Sequence, residues 1–347
     1  MSEYSILQRR TKRLNKIISV IIPMYNSEPY IEKCLDSLIL DANYMQDVEI
    51  IVVNDGSTDH SVELVRPYVE RYPDTIRLIS QENGGHGAAV DAGIDVCQGE
   101  YFKVLDADDW FLTDEWKKFV HTLLEMQTVD VVVSGYERYD IQTGGTQVIS
   151  VPDGQTVVTL LMEQVMKRWV DFRNLFALHG LTYRTEFYRM YAVQLPAKVF
   201  YDDTLYNIVA ASRAKRIYAV NCTVYVYRVG DVNQSVSKES RVTRIEHIKT
   251  VLRALCGTEN LSRSKAGQEY WDYKVRSCIT DFFVTAFLRF DDKKAGRSHA
   301  RTFMRELRRT NPDVAAAAWK RYVLLYWMSV LRMDDQKFNE LLARRKR

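Results

Sequence analysis

Cysteine is sparse in this 347-residue chain, and its five copies (Cys34, Cys97, Cys222, Cys256, Cys278) form no CxxC pair and no metal-ligand spacing. An odd number so widely spread argues against a disulfide-stapled secreted scaffold and a zinc ribbon, and points to buried thiols in a reducing, cytoplasmic setting. Glycine (15) and proline (7) are too few for a collagen-like or linker-rich chain. No stretch of about 18 uncharged apolar residues occurs, so no membrane-spanning helix is expected. Met1–Lys16 is polar and basic, and the apolar run after it, Ile17–Pro23, is too short for a signal peptide. Neither charge sign dominates: 48 basic side chains face 45 acidic ones, so nucleic acid is not an expected partner. Also missing are GxGxxG after the first strand and GxxxxGK[ST], which removes support for dinucleotide and P-loop sites.

What is present is ordinary for a folded protein: 46% hydrophobic and 27% charged residues, over a length that suits two domains or one large domain with an elaboration. The charge is unevenly placed. Residues 1–16 carry +4 and residues 291–347 carry +8, which leaves −9 for the middle against the total of +3. An acidic body fits a metal-using site. The basic ends are either solvated helices or surfaces that meet something anionic, such as the inner face of a membrane.

The first 110 residues alternate strand and helix. Ile17–Pro23 and Val48–Val53 are β-branched runs that read as buried parallel strands, followed by Ile76–Ser80 and Tyr101–Leu105. Ser27 is a candidate N-cap for a helix with Ile31, Leu35, Leu38 and Ile39 on its apolar face. Ser57 or Thr58 is a candidate cap for a helix over Ser61–Arg71, and Gly84-Gly85 opens a helix through Val96. Beyond Thr113 the pattern predicts a helix over Asp114–Met126, a strand over Val129–Ser134 and a hairpin at Thr143-Gly144-Gly145. A helix over Thr156–Trp169 and a strand over Val220–Arg228 follow. Strand signals then cease, and helical patterns cover 239–257, 264–290, 297–310 and 314–344. The reading is an α/β fold with a mostly parallel sheet and flanking helices, then a helical C-terminal domain. Its parts are a basic tail (1–16), an α/β domain (17–236, with halves 17–112 and 113–236) and helices (237–347).

Ligands of such sheets sit at the carboxyl ends of the strands. Polar clusters fall at those ends: Tyr25-Asn26, Asn54-Asp55, Glu82-Asn83 and Asp106-Ala107-Asp108. Two carboxylates just past a buried strand suit a hard divalent cation, Mn²⁺ or Mg²⁺, completed by substrate phosphates. Asp109 adds a third carboxylate, read as a cap or support for the pair.

Ile18–Leu38 (ISVIIPMYNSEPYIEKCLDSL), Glu49–Asp59 (EIIVVNDGSTD), Gln81–Gly93 (QENGGHGAAVDAG) and Gly99–Trp110 (GEYFKVLDADDW) together resemble the inverting glycosyltransferases of family 2, with the GT-A fold. A weaker resemblance continues at Tyr201-Asp202-Asp203-Thr204-Leu205, and at Tyr227-Arg228 with Gln234-Ser235-Val236-Ser237. The resemblance implies that Pro23, Tyr25 and Asn26 line the nucleotide pocket with Glu28 nearby. It implies that Asp55 recognises a uracil-type base, and that Asn83, Gly84 and Gly85 approach the nucleotide. Asp106 would meet ribose or metal, Ala107 would lie between, and Asp108 would ligate the metal. Asp203, or its neighbour Asp202, would take the acceptor proton, and Arg228 would touch phosphate. Where the family often has Arg and Asn, this chain has Val90-Asp91, so a basic contact is missing or comes from elsewhere.

Other residues carry weaker expectations. His86 could touch the donor from the glycine loop, though a loop histidine is more often incidental. His179 and Trp110 are candidates for the acceptor region. The helix from Trp319 to Leu342 is apolar almost all around, with basic ends; it is a packed or oligomerising helix, or a peripheral membrane contact. The implied function is transfer of a sugar from a nucleotide-diphosphate donor, UDP-linked, to a hydroxyl of a glycan, a lipid-linked sugar or a polyol-phosphate polymer. The rivals are a non-catalytic carbohydrate-binding protein on the same fold and a nucleotidyltransferase.

Overall fold

The computed structural model describes residues 16–152, 157–231 and 237–334. The basic tail up to Asn15, the Gln234-Ser235-Val236 segment and the chain from residue 335 onward, with the end of the expected C-terminal helix, lie outside the described residues. The chain divides into two compact units: Met1–Asp231 with Arg263–Gly267, and Val232–Ser262 with Gln268–Arg347.

The first unit is built on one mixed sheet. Its strands are β1 (Ile18–Met24), β2 (Val48–Asn54), β3 (Ile76–Ser80), β4 (Tyr101–Val104), β5 (Trp110–Phe111), β6 (Val131–Asp140), β7 (Thr146–Ile149), β8 (Val157–Leu161), β9 (Leu181–Arg184) and β10 (Arg216–Val229). Their order is β3-β2-β1-β4-β9-β6-β10-β5, with β7 on β6 and β8 on β10. The β3-β2-β1-β4 half is parallel, and every residue of β1 and β2 is buried, as continuous β-branched runs require. Strand β9 is antiparallel to both β4 and β6 and joins the two halves. Helices α1 (Ile31–Asp36), α2 (Ala42–Met45), α3 (Ser61–Arg71), α4 (His86–Val96) and α5 (Thr113–Glu125) connect the first strands. The shorter α6 (Met162–Lys167), α7 (Trp169–Phe172), α8 (Thr185–Tyr191) and α9 (Asp203–Ile208) follow.

Three local expectations are corrected. Ser27 does not cap α1: its carbonyl accepts from the Tyr30 and Ile31 amides, so it begins a turn, and the helix starts at Ile31. Ser57 and Thr58 do not cap α3: their amides go to the side chains of Asn54 and Asn26, and Asp59 accepts the Ser61 amide instead. The helix expected over 156–169 opens as β8, because Val157–Leu161 pairs antiparallel with Arg216–Val220 before α6 begins. A long-range partner there overrides local pattern.

The second unit is helical: α10 (Lys238–Thr243), α11 (Ile245–Cys256), α12 (Lys265–Val284, from Gln268 onward) with a wide turn over Thr285–Arg289, α13 (Lys293–Thr310) and α14 (Pro312–Val330). Its core includes Phe282, Phe283, Phe287 and Phe303, with Tyr322 and Tyr326 edge-on to them. Asp292 caps α13 by accepting from the Lys294 and Ala295 amides. Among the described residues no helix is long and apolar enough to cross a membrane.

Candidate functional site

The carboxyl ends of β1, β2 and β4 open onto loops that hold one another through side chains. The Asn26 carboxamide accepts from the Thr58 amide (2.8 Å), and the Glu28 carboxylate accepts from the His60 amide (3.1 Å). Buried Asn54 accepts from the Ser57 amide (2.9 Å) and donates to Ser80 Oγ (3.2 Å). Asn26 and Glu28 thus fasten the β1 loop to the β2 loop. Pro23 is paired with Val53 inside the sheet, while Tyr25 stands 51% exposed at the rim.

Asp55 is 2% exposed and organises the glycine loop. Its carboxylate accepts from Gln81 Nε2, the Gly84 amide and the Gly85 amide, all at 2.8 Å. Asn83 is exposed on the outside of this loop. Gly85 has φ 85°, and a Cβ there would stand 2.9 Å from the Lys198 amide nitrogen, so only glycine fits. The Lys198 amide in turn donates to the Gly84 carbonyl (2.6 Å). Three of the four non-glycine residues with positive φ among the described residues, Asn26, Lys198 and Tyr201, lie in these loops. Strained backbone of this kind clusters where function requires it.

The acidic turn after β4 is buckled to β10. The Tyr225 hydroxyl donates to Asp109 Oδ2 (2.6 Å) and accepts from the Asp106 amide (3.2 Å), while the Arg228 amide donates to Asp109 Oδ1 (2.7 Å). Asp109 is 2% exposed, and burial together with Asp106 and Asp108 pushes its carboxyl well above the usual range. Burial and Asp106 push Asp108 up to about 6, although the Arg228 guanidinium lies 3.8 Å away. Ala107 is buried between them.

His179, expected near the acceptor, comes to this turn. Oxygens of Asp106 and Asp109 and a ring nitrogen of His179 all lie within 4.8 Å of one another. The His179 ring stacks on Tyr227 (4.0 Å) and meets Tyr225 edge-on (4.9 Å), and its Nδ1 is buried with no protein partner. Burial lowers its pKa to about 4, leaving a neutral imidazole. Fully buried Lys103 holds the segment from beneath, donating to the His179 carbonyl (2.7 Å) and the Leu181 carbonyl (3.1 Å). Two carboxylates and a neutral imidazole whose buried Nδ1 is orphaned suit a divalent cation. Asp108 lies outside this trio. Trp110 sits apart from it on β5, with the Lys33 ammonium 3.1 Å from its ring centre.

His86, which the sequence left as incidental, joins the two acidic motifs. Its Nδ1 lies 2.8 Å from Asp202 Oδ2 and its Nε2 lies 3.0 Å from Asp106 Oδ1. Both partners are carboxylates, so both ring nitrogens donate and the ring is an imidazolium. Burial opposes that charge, yet Asp202 and Asp106 hold the pKa well above its ordinary value. Burial would likewise raise Asp106, but His86 holds it below the usual range. The segment before α9 is stitched to α4 elsewhere too: the Leu195 amide donates to Asp91 (2.7 Å). A Cβ on Gly87 would meet Asp202 Oδ2 at 2.8 Å, so Gly87 is small to let this segment approach. Asp91 therefore serves the fold where the family often has Asn, and Val90 is buried. Asp202 is 3% exposed and committed to His86, whereas Asp203 is half-buried in the first turn of α9.

The sequence model of glycosyl transferase family 2 matches residues 19–195, half of the chain. The chain belongs to glycosyl transferase family 2. Among the family's curated members, it is 29% identical over 221 residues to the uncharacterized glycosyltransferase EpsJ of Bacillus subtilis, covering 61% of each chain. It is 32% identical over 221 residues to glycosyltransferase GlyA of Streptococcus pneumoniae, covering 61% of this chain and 30% of GlyA. The match thus spans three fifths of EpsJ and under a third of GlyA. Solved family-like folds include TarS 1–349 of S. aureus in complex with UDP-GlcNAc, with TM-score 0.57, 18% identity and coverage of 91% and 92% of the two chains. The mannosyltransferase PcManGT of Pyrobaculum calidifontis, in complex with GDP-Man and Mn²⁺, aligns with TM-score 0.51, 16% identity and coverage of 94% and 93%. At these identities the likeness establishes the GT-A fold.

Proposed function

We propose that this family 2 member transfers a sugar from a UDP-sugar to an acceptor hydroxyl with inversion of the anomeric carbon. One observation carries the reading: a single imidazole, His86, spans from Asp106 of the DxD turn to Asp202 of the second acidic motif. Donor loops and a carboxylate able to take a proton are thereby held at one sheet edge.

Tyr25, Asn83 and the backbone of Gly84-Gly85 receive the nucleotide. Asp55 holds that loop in shape and takes the base edge with its remaining lone-pair capacity. Arg228, whose guanidinium already packs 4.6 Å over the Tyr30 ring, offers positive charge to the diphosphate. Asp203 accepts the acceptor's proton as its oxygen attacks, and one displacement inverts the centre. Asp202 orients α9 and is not the base. Asp106 and Asp108, with Asp109 and His179 beside them, would hold Mn²⁺ or Mg²⁺. Such an ion, when bound, supplies Lewis-acid stabilisation of the departing diphosphate. The acceptor is a glycan, a lipid-linked sugar or a polyol-phosphate polymer, and the setting is cytoplasmic, which suits five free cysteines.

The test is a panel of UDP- and GDP-sugars with these acceptors, with Mn²⁺, Mg²⁺ or EDTA, following nucleoside diphosphate and pyrophosphate separately. Acceptor-dependent release of UDP supports the reading. Pyrophosphate release would make the chain a nucleotidyltransferase. Tight donor binding with no turnover on any acceptor would make it a binding protein.

A further inference from the structure

Helix α14 has two apolar faces, of which its own unit uses one. Val314, Ala315, Ala318, Leu325 and Met328 are buried. Trp319, Leu324, Trp327, Val330 and Leu331 are 42%, 56%, 58%, 43% and 72% exposed. These five are over a third of the fourteen large apolar side chains left open among the described residues, gathered into 13 positions. Scattered exposed apolar residues need no explanation, but a row on one helix face that includes two tryptophans does.

The charge around that row has one sign. No Asp or Glu occurs from Val314 to Met333, while Lys320 and Arg321 are exposed. The preceding helix, α13, packs along α14 and presents Arg301, Arg305 and Arg308, spaced i, i+4, i+7 and all exposed. Arg308 lies over the Trp319 ring at 4.3 Å, and Arg301 and Arg308 both act electrostatically on Tyr322 of α14. The only acid of α13, Glu306, does not offset them, because Arg253 takes it with two bonds of 2.6 and 2.9 Å.

We propose that α14, with the arginine row of α13 beside it, docks the chain on an anionic phospholipid membrane. An interfacial helix needs an apolar strip, tryptophans and flanking cations, and this surface supplies all three. A second copy of the chain fits less well. A two-fold contact through this face would bring two arginine rows together as the apolar strip excluded water. The helix would lie in the plane of the headgroups with Trp319 and Trp327 inserted.

The full-length protein is floated with vesicles of phosphatidylcholine alone and of phosphatidylcholine with phosphatidylglycerol, while tryptophan emission is followed. Binding only to the anionic vesicles, with a blue shift and loss at high salt, is the expected result. Trp327→Glu with Leu324→Glu should abolish it. Each of Arg301, Arg305 and Arg308 changed to Gln should lower partitioning about five-fold. Both sets are exposed positions, and unchanged circular dichroism and melting show that the fold survives. Failure of the wild-type protein to bind anionic vesicles would overturn the proposal. So would binding that neither set of changes weakens. Light scattering covers the rival: a dimer that Trp327→Glu splits, without vesicle binding, assigns the face to a second copy.

Discussion

Replacing His86 by alanine removes two charge-assisted hydrogen bonds at once, those of 2.8 and 3.0 Å to Asp202 and Asp106. Asp202, with a side chain 5% exposed, is left as a buried carboxylate without its cation. A hydrogen bond to a charged group contributes roughly 1.5–3 kcal/mol. The imidazole is itself 35% exposed, so water replaces part of the loss and the stability change should sit near the lower figure. The catalytic effect should be larger. Asp202 immediately precedes Asp203, so freeing it lets the first turn of α9 move, and a misplacement of about 1 Å costs roughly 10²-fold in rate. The assay is steady-state transfer with donor and acceptor varied, alongside UDP affinity by calorimetry in EDTA. kcat should fall about 10²-fold while UDP affinity stays near wild type, since the loops proposed to receive the nucleotide are held by Asp55 rather than His86. His86→Gln, which can donate to one carboxylate only, should recover part of the rate. A His86→Ala protein with wild-type kcat would refute the tether, and equal losses in UDP affinity and kcat would make His86 a donor contact.

Gly87→Ala should move the Asp202 segment outward, because its Cβ would sit 2.8 Å from Asp202 Oδ2; a fall in kcat with little change in donor affinity is the expected kinetic result. Lys103 titrates with a defined sign. Burial pushes it from near 10.5 down to about 7, so across that window the unfolded chain binds the extra proton and folding stability rises with pH. The slope is up to about 1.4 kcal/mol per pH unit. Urea unfolding of wild type and Lys103→Met at pH 7, 8 and 9 should show the wild type gaining on the variant as pH rises. Calorimetric titration with Mn²⁺ should show weakened binding in His179→Ala; unchanged affinity would leave the orphaned Nδ1 without that role.

The first four strands were legible because their signals are local. Buried β-branched runs, each followed by a polar turn, announce β1, β2 and β4 and the edge where their loops meet. The 157–161 segment was misread because a five-residue apolar run does not reveal whether a strand partner lies some 60 residues on. His86 was misjudged for a similar reason. Its neighbours Gly85 and Gly87 hint at crowding, but Asp202 is 116 residues away and no spacing rule reaches it. Asp55 was expected to face a base, and nothing local to it says that its carboxylate also gathers three donors from the glycine loop. His179 was assigned to the acceptor side by its position in the chain, whereas β9 and the Lys103 ammonium carry it to the acidic turn.

The central claim is that Asp203 takes a proton at a donor site built by the first four strands. It is tested most directly by Asp203→Asn and Asp202→Asn measured in parallel, with donor affinity by calorimetry and transfer rate for each. The account predicts near-wild-type donor affinity in Asp203→Asn with transfer reduced roughly 10²–10⁴-fold. It predicts a smaller loss in Asp202→Asn, whose amide still reaches His86. Wild-type transfer by Asp203→Asn, or the larger loss at Asp202, would contradict it.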